Sequence, residues 1–188
     1  TPDLTQQEEG MLRRLGDLQA TLQEKGERVK GTLKEDVDKF LWREEGKVWA
    51  AYSVDVDKSA KAMLAELFVL DTFERSRVHT GKQNIGLPRV VRNNVDGTRS
   101  LHYRAGKHVY GIKNRLFDNW FTWKELETGQ SNMESYIIGF TPLPSKAFED
   151  ITEGFVSAET TGFYKITKVA PEVCTLTRIQ TVDLKSNL

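Results

Sequence analysis

The chain has 188 residues, 38% hydrophobic and 29% charged, enough for one ordinary domain with its own core and too little chain for two. Its 27 Lys plus Arg balance 27 Asp plus Glu, which argues against nucleic-acid binding driven by bulk positive charge. A single cysteine, Cys174, excludes an internal disulfide or a multi-thiolate metal site and points to a reducing compartment, cytoplasmic or organellar.

From Leu4 to Val29 the sequence reads as one amphipathic helix, with Met11, Leu15, Leu18 and Leu22 alternating four and three apart among charges. The stripe is narrow and interrupted by Glu8 and Lys25, too short for a self-standing coiled coil, so packing on its own domain or on a protein partner is expected ahead of dimerisation. Gly26 and Gly31 weaken its end, and a second short helix is expected from Lys34 to Trp42. This divides the chain into an N-terminal helix, residues 1–33, and a main domain, residues 34–188. KVWAAYSVDVD, Lys47 to Asp57, is rich in Val, Ala and aromatics and suits a strand. A helix follows, capped by Asp57 or Ser59, with Ala60, Met63, Leu64, Leu67 and Phe68 on one face.

After Leu70 come short extended runs between turn signals: PRVVRN, TRSLHYRA, NRLFDNWFTWKEL, MESYIIGF, GFYKITKV and VCTLTRIQTVDL. They predict a meander of antiparallel strands. In NRLFDNWFTWKEL, Phe117, Asn119, Phe121 and Trp123 share one face and Asp118, Trp120, Thr122 and Lys124 the other. No run approaches the roughly 18 to 20 apolar residues of a membrane span, and TPDLTQQEEG has neither region of a secretory signal.

Catalytic motifs are missing. His79, His102 and His108 form no HExxH or Cys-His arrangement, and there is no GxSxG elbow, GxxxxGK[ST] loop or GxGxxG turn. Cys174 sits in an alternating strand and reads as a buried, inert thiol. Glu149 and Asp150 adjoin on a loop, where neighbouring side chains diverge instead of converging on a substrate. The expectation is no enzyme, no metal and no cofactor. Charge is segregated nonetheless. Between Lys82 and Arg115 stand eight basic residues (Lys82, Arg89, Arg92, Arg99, Arg104, Lys107, Lys113, Arg115) against Asp96 alone. They form either an ordinary solvated face or a surface for anionic lipid headgroups or an acidic partner.

Three passages carry a family resemblance. AAYSVDVDKSAKAMLAELFVLDTFERSR joins an extended segment to a capped helix and an "LD…ER" turn; NRLFDNWFTW keeps Arg115 and Phe117 of an Arg-Asp-Phe strand; IQTVDLKSNL keeps Asp183 and Lys185 of an Asp-x-Lys-Gly ending. In order and spacing, from about Val48 to Leu188, these resemble the START family (steroidogenic-acute-regulatory-protein-related lipid transfer) of the helix-grip superfamily. The resemblance implies an α+β fold, a curved antiparallel sheet packed on a helix, and non-catalytic binding or transfer of a lipid-like small molecule such as a sterol, phospholipid or fatty acid. It implies ligand-binding roles for Phe117, Phe121 and Trp123 as the wall of a groove and for His102 and Arg104 as its polar groups. Arg115, Asn119, Tyr136 and Ile138 complete that set. The alternative is a scaffold of the same fold that serves as a protein-interaction module without lipid.

There are departures from the family pattern. Leu116 stands for the Asp of Arg-Asp-Phe, Ser186 for the usual Gly, and Phe121 where some members place a buried cavity Arg. The family also continues into a long C-terminal helix across the cavity mouth. This chain stops before it, so the expectation is a fragment, or a groove covered by the Leu4 to Val29 helix, by a partner or by a membrane.

Overall fold

The computed structural model describes residues 5–29, 37–68, 89–93, 97–106, 113–126, 133–143 and 155–185. Helix α1 (Thr5–Lys25) is followed by a two-residue strand, β1 (Glu27–Arg28). Next come β2 (Asp38–Glu44) and β3 (Lys47–Val56), an antiparallel hairpin. The helix expected from Lys34 to Trp42 is therefore a strand over its described part. Alternation explains the correction: Phe40 and Trp42 face one side, and Trp42 lies opposite Trp49 with ring centroids 6.0 Å apart. Glu45 and Gly46 both take positive φ, 50° and 73°, the geometry whose twist suits a two-residue hairpin.

Helix α2 (Ala60–Phe68) starts where expected, the Ala62 amide donating to Ser59 Oγ at 3.3 Å. Then come β4 (Arg89–Asn93), β5 (Arg99–Gly106), β6 (Arg115–Glu125), β7 (Ser135–Pro142), β8 (Val156–Ala170) and β9 (Val173–Asp183). The nine strands among the described residues form one sheet in the order β1-β2-β3-β9-β8-β7-β6-β5-β4, with antiparallel neighbours. The expected six-stranded meander is β4 to β9, and its last strand returns to pair with β3. β8 is longer than GFYKITKV suggests. Its first residues, Val156 to Ala158, run parallel to Arg115–Phe117 of β6. The sheet stays open, with β1 and β4 at its edges.

Strand alternation sends neighbouring side chains to opposite faces, and each face has its own helix. On the outer face Leu18 of α1 packs among Trp42, Trp49, Ile137, Phe163 and Ile179, Met11 lies against Gly139, and Glu8 pairs with Arg99. On the inner face Ala60, Met63, Leu67 and Phe68 of α2 cover Tyr136, Ile138, Ile166, Cys174 and Leu176. The stripe of α1 is thus engaged by its own sheet, and α1 does not cover the inner face. Its residues meet the odd-numbered positions of β7 to β9, while any groove beside α2 is lined by the even-numbered ones. Trp49, Phe163, Ile138, Ile166 and Ile179 are fully buried, each worth about 1.5–3 kcal/mol of transfer free energy. Neither helix among the described residues is long and apolar enough to cross a membrane.

Candidate functional site

The inner face beyond α2 carries a ladder of rings. Antiparallel register sets Phe121 opposite Phe140, and Tyr164 opposite Arg178. His102 stacks on Phe121 at 3.9 Å, Phe121 on Phe140 at 5.3 Å, and Phe140 meets Tyr164 at 5.6 Å. The Arg178 guanidinium lies 5.0 Å from the Tyr164 ring centre and 6.0 Å from that of Phe140, a stabilising placement over aromatic faces. Four strands therefore present one continuous aromatic surface that ends on a cation.

Arg104 of β5 lies 5.8 Å from the centre of the Phe117 ring. Its side chain is exposed toward the space before the inner face, and desolvation by the protein around its guanidinium lowers its pKa. Tyr164 raises the pKa in part and Arg178 lowers it further. His102 Nε2 is 2.8 Å from Ser100 Oγ, and both residues are buried.

Next to Arg178 the inner face opens into an apolar groove of about 530 Å³ over β2, β3 and β9, lined by residues that include Val29, Leu41, Ala50, Tyr52, Arg178 and Gln180. Its exposed lining is almost entirely carbon. Leu41, Val48 and Val182 remain exposed on this side, since register places Leu41 opposite Ala50, Val48 opposite Arg43 and Val182 opposite Thr160.

All nine residues expected to bind a ligand lie on β5, β6 and β7, and the structure distributes them among different roles. His102 and Phe121 join the ladder, Arg104 and Phe117 stack, and Phe117, Phe121 and Trp123 are half-buried. Trp123 packs edge-on against Tyr136 and donates its indole N–H to the Gly97 carbonyl at 2.9 Å. Tyr136 and Ile138 lie in the core beneath α2. The Tyr136 hydroxyl donates to Glu134, and burial followed by that carboxylate pushes its pKa to about 12. Asn119 donates to the Thr160 carbonyl at 2.8 Å, and Arg115 Nε donates to the Leu184 carbonyl at 2.7 Å. None of the nine lines the 530 Å³ groove.

Sequence reasoning missed Arg178, Tyr164, Tyr52 and Leu41. A signal for Arg178 exists: it shares the parity of Cys174 and Leu176, a charge in an apolar column. Leu41 was hidden by reading its segment as a helix. Of the basic residues from Lys82 to Arg115, Arg99 pairs with Glu8 on the outer face, Arg104 opens on the inner face and Arg115 is buried. These three do not share a surface. Lys82, Lys107, His79, His108, Glu149 and Asp150 lie outside the described residues, as do the side chains of Arg89 and Arg92. Cys174 is buried, and burial pushes its thiol pKa up, with Asp55 adding to the rise. Among the described residues no three of His, Cys, Asp or Glu gather as a metal site requires.

No family model matches the chain, and no curated protein matches it in sequence. Solved structures do. The human StarD13 (DLC2) lipid transfer and protein localization domain superposes with a TM-score of 0.64 at 15% identity, covering 100% of this chain and 86% of that one. Human StAR-related lipid transfer protein 5 gives 0.65 at 13%, covering 95% and 83%. The STAR-related lipid transfer protein of Xanthomonas axonopodis gives 0.61 at 14%, covering 82% and 80%. The open, mainly antiparallel sheet of nine strands among the described residues, with α2 against its inner face, places this chain in the START-like helix-grip fold.

Proposed function

We propose that the protein serves, without catalysis, in the binding or transfer of a hydrophobic lipid-like molecule held on the inner face of its sheet. The observation that carries this reading is the groove of about 530 Å³ with its carbon lining, within the range of small-molecule sites. The solved neighbours are named as lipid transfer proteins, which supports it. A ligand burying about 500 Å² of apolar surface gains roughly 12 kcal/mol gross at 25 cal/mol per Å², before ordering costs reduce it. In this reading the body of the ligand lies in that groove, against Leu41, Ala50, Tyr52 and Arg178, and His102, Arg104, Phe117, Phe121 and Trp123, which lie outside it, meet only the part of a ligand that extends past Arg178 along the inner face. Delipidated protein is expected to take up one equivalent of lipid saturably. A titration with sterol, phospholipid and fatty acid in which none is retained overturns the proposal.

A second reading, a scaffold for protein interaction, is favoured by the exposed Leu41, Val48 and Val182 beside one another on the inner side. Native mass spectrometry of protein from its own source separates the two. A lipid-sized mass on the monomer supports binding, and a lipid-free complex with another chain supports the scaffold.

A further inference from the structure

We propose that the groove over β2, β3 and β9 selects an amphiphile with an anionic head, whose chain lies against the carbon lining and whose carboxylate or phosphate meets Arg178. This rests on the lipid-binding reading and names the class of lipid. Strand register supplies the first observation. Lys39 stands opposite Tyr52, and Tyr52 opposite Arg178, so the three occupy one rung across β2, β3 and β9. All three line the groove, whose lining includes neither Asp nor Glu. Alternation extends the pattern to the whole of these strands. Lys39, Arg43 and Arg178 fall on the inner face, whereas Asp38, Glu44, Asp55 and Asp183 fall on the outer one. The inner face of the three strands is therefore apolar and cationic, with no carboxylate of its own.

Arg178 lacks a counter-ion. It is half-buried, and among the described residues no carboxylate pairs with it and no acceptor meets its buried Nε. The Tyr164 and Phe140 rings lie 5.0 and 6.0 Å from the guanidinium carbon. Their faces stabilise the charge without accepting the N–H bonds that a guanidinium fork directs in its own plane. An anionic head accepts those bonds, and they are the stronger, charge-assisted kind. Little side-chain freedom is lost when it arrives, because the rings already hold the guanidinium in place. Lys39 raises the positive potential of the same groove without touching the head. A neutral lipid of equal chain length gains the lining and leaves the partly desolvated charge of Arg178 unpaired.

The test titrates the delipidated protein, by calorimetry, with oleate, oleyl alcohol and acetate, and repeats this with R178Q, R43Q and A50W. Oleate and oleyl alcohol share a chain and differ in the head; acetate is the head alone. The wild-type protein is expected to prefer oleate over oleyl alcohol by roughly tenfold or more, the scale of charge-assisted hydrogen bonds. In R178Q that ratio is expected to fall toward one, through weaker oleate binding. R43Q removes an equal charge from the same face outside the groove and is expected to keep the preference. A50W fills the groove and is expected to lose both ligands. Equal wild-type affinity for oleate and oleyl alcohol overturns the selection of an anion and leaves lipid binding standing. Retention of neither overturns both. A preference that survives in R178Q, or oleate binding that survives in A50W, overturns the assignment to Arg178 and this groove. Acetate binding as tightly as oleate also overturns the proposal, because the chain then contributes nothing. The wild-type ratio and A50W need no Arg178 variant, so a failure of R178Q to fold hides neither result.

Discussion

Arg115 shows how one side chain ties two distant passages together. Its Nε donates to the Leu184 carbonyl, between Asp183 and Lys185, which themselves pair at 2.8 Å. The Arg-x-Phe passage and the Asp-x-Lys ending thus meet at one corner of the sheet, and their shared occurrence has a structural cause. Gly162 shows an equally local constraint. A Cβ there would sit 2.1 Å from the Ile179 carbonyl oxygen, whereas one at Gly139 would meet only the tip of Met11. Gly162→Ala is expected to cost about 1–3 kcal/mol by overpacking against backbone, and Gly139→Ala clearly less, since a thioether can swing aside. Urea unfolding of the two variants checks the order. Tyr136 makes a prediction about pH. Its folded pKa of about 12 exceeds the ordinary 10.0, through burial first and then the bond to Glu134. The folded state therefore holds its proton longer than the unfolded chain. The stability this contributes is present below pH 10 and is lost as pH rises through about 12. Tyr136→Phe is expected to lack that loss, so the stability gap between the two proteins narrows over this window in alkaline melts.

The β2–β3 hairpin depends on its turn. Glu45 occupies the left-handed region at φ 50°, where a residue with a Cβ is penalised and Asn is better tolerated. Glu45→Asn is expected to stabilise by roughly 0.5–1 kcal/mol, since a left-handed residue costs about 1–2 kcal/mol. The ion pair it removes, Arg14 to Glu45 at 3.6 Å, is exposed and worth little. A rise in melting temperature checks this. Over so short a run helical and extended periods are hard to distinguish, which is why the stretch from Lys34 to Trp42 suggests a helix where the strand Asp38–Glu44 stands. What decides the matter is β3, which supplies Trp49 opposite Trp42 and a hydrogen-bonded neighbour. The longer runs leave no such ambiguity. β3, α2 and β5 to β9 are each eight residues or longer and visible in alternation, capping and turn residues, while β4, with five, is marked by the turn signals that flank it.

The assembled sheet turns its inner face into two zones. Under α2 the surface is closed core; beyond it lie the ring ladder, two arginines and the apolar groove. A ligand that binds only the folded protein stabilises it by mass action, about 2.7 kcal/mol at one hundred times its dissociation constant. For a chain of this size that is a rise in melting temperature of roughly 5–10 °C. Scanning calorimetry with saturating oleate is the measurement, and an unmoved transition counts against occupancy of the groove.

Alternation along NRLFDNWFTWKEL was sufficient to place Phe117, Asn119, Phe121 and Trp123 on one face, because a strand's period is two whatever it packs against. Composition and spacing likewise predict room for one ordinary domain and an antiparallel meander, and the α+β helix-grip architecture follows from the family resemblance. Which of those inward residues meet open space was not legible. Tyr136 and Ile138 follow the same alternation and end up beneath a helix, while Leu41 and Arg178, 137 positions apart in sequence, come to border one groove. Local pattern sets the direction of a side chain; only the bend of the sheet and the landing place of α2 decide whether it faces core, ligand or water.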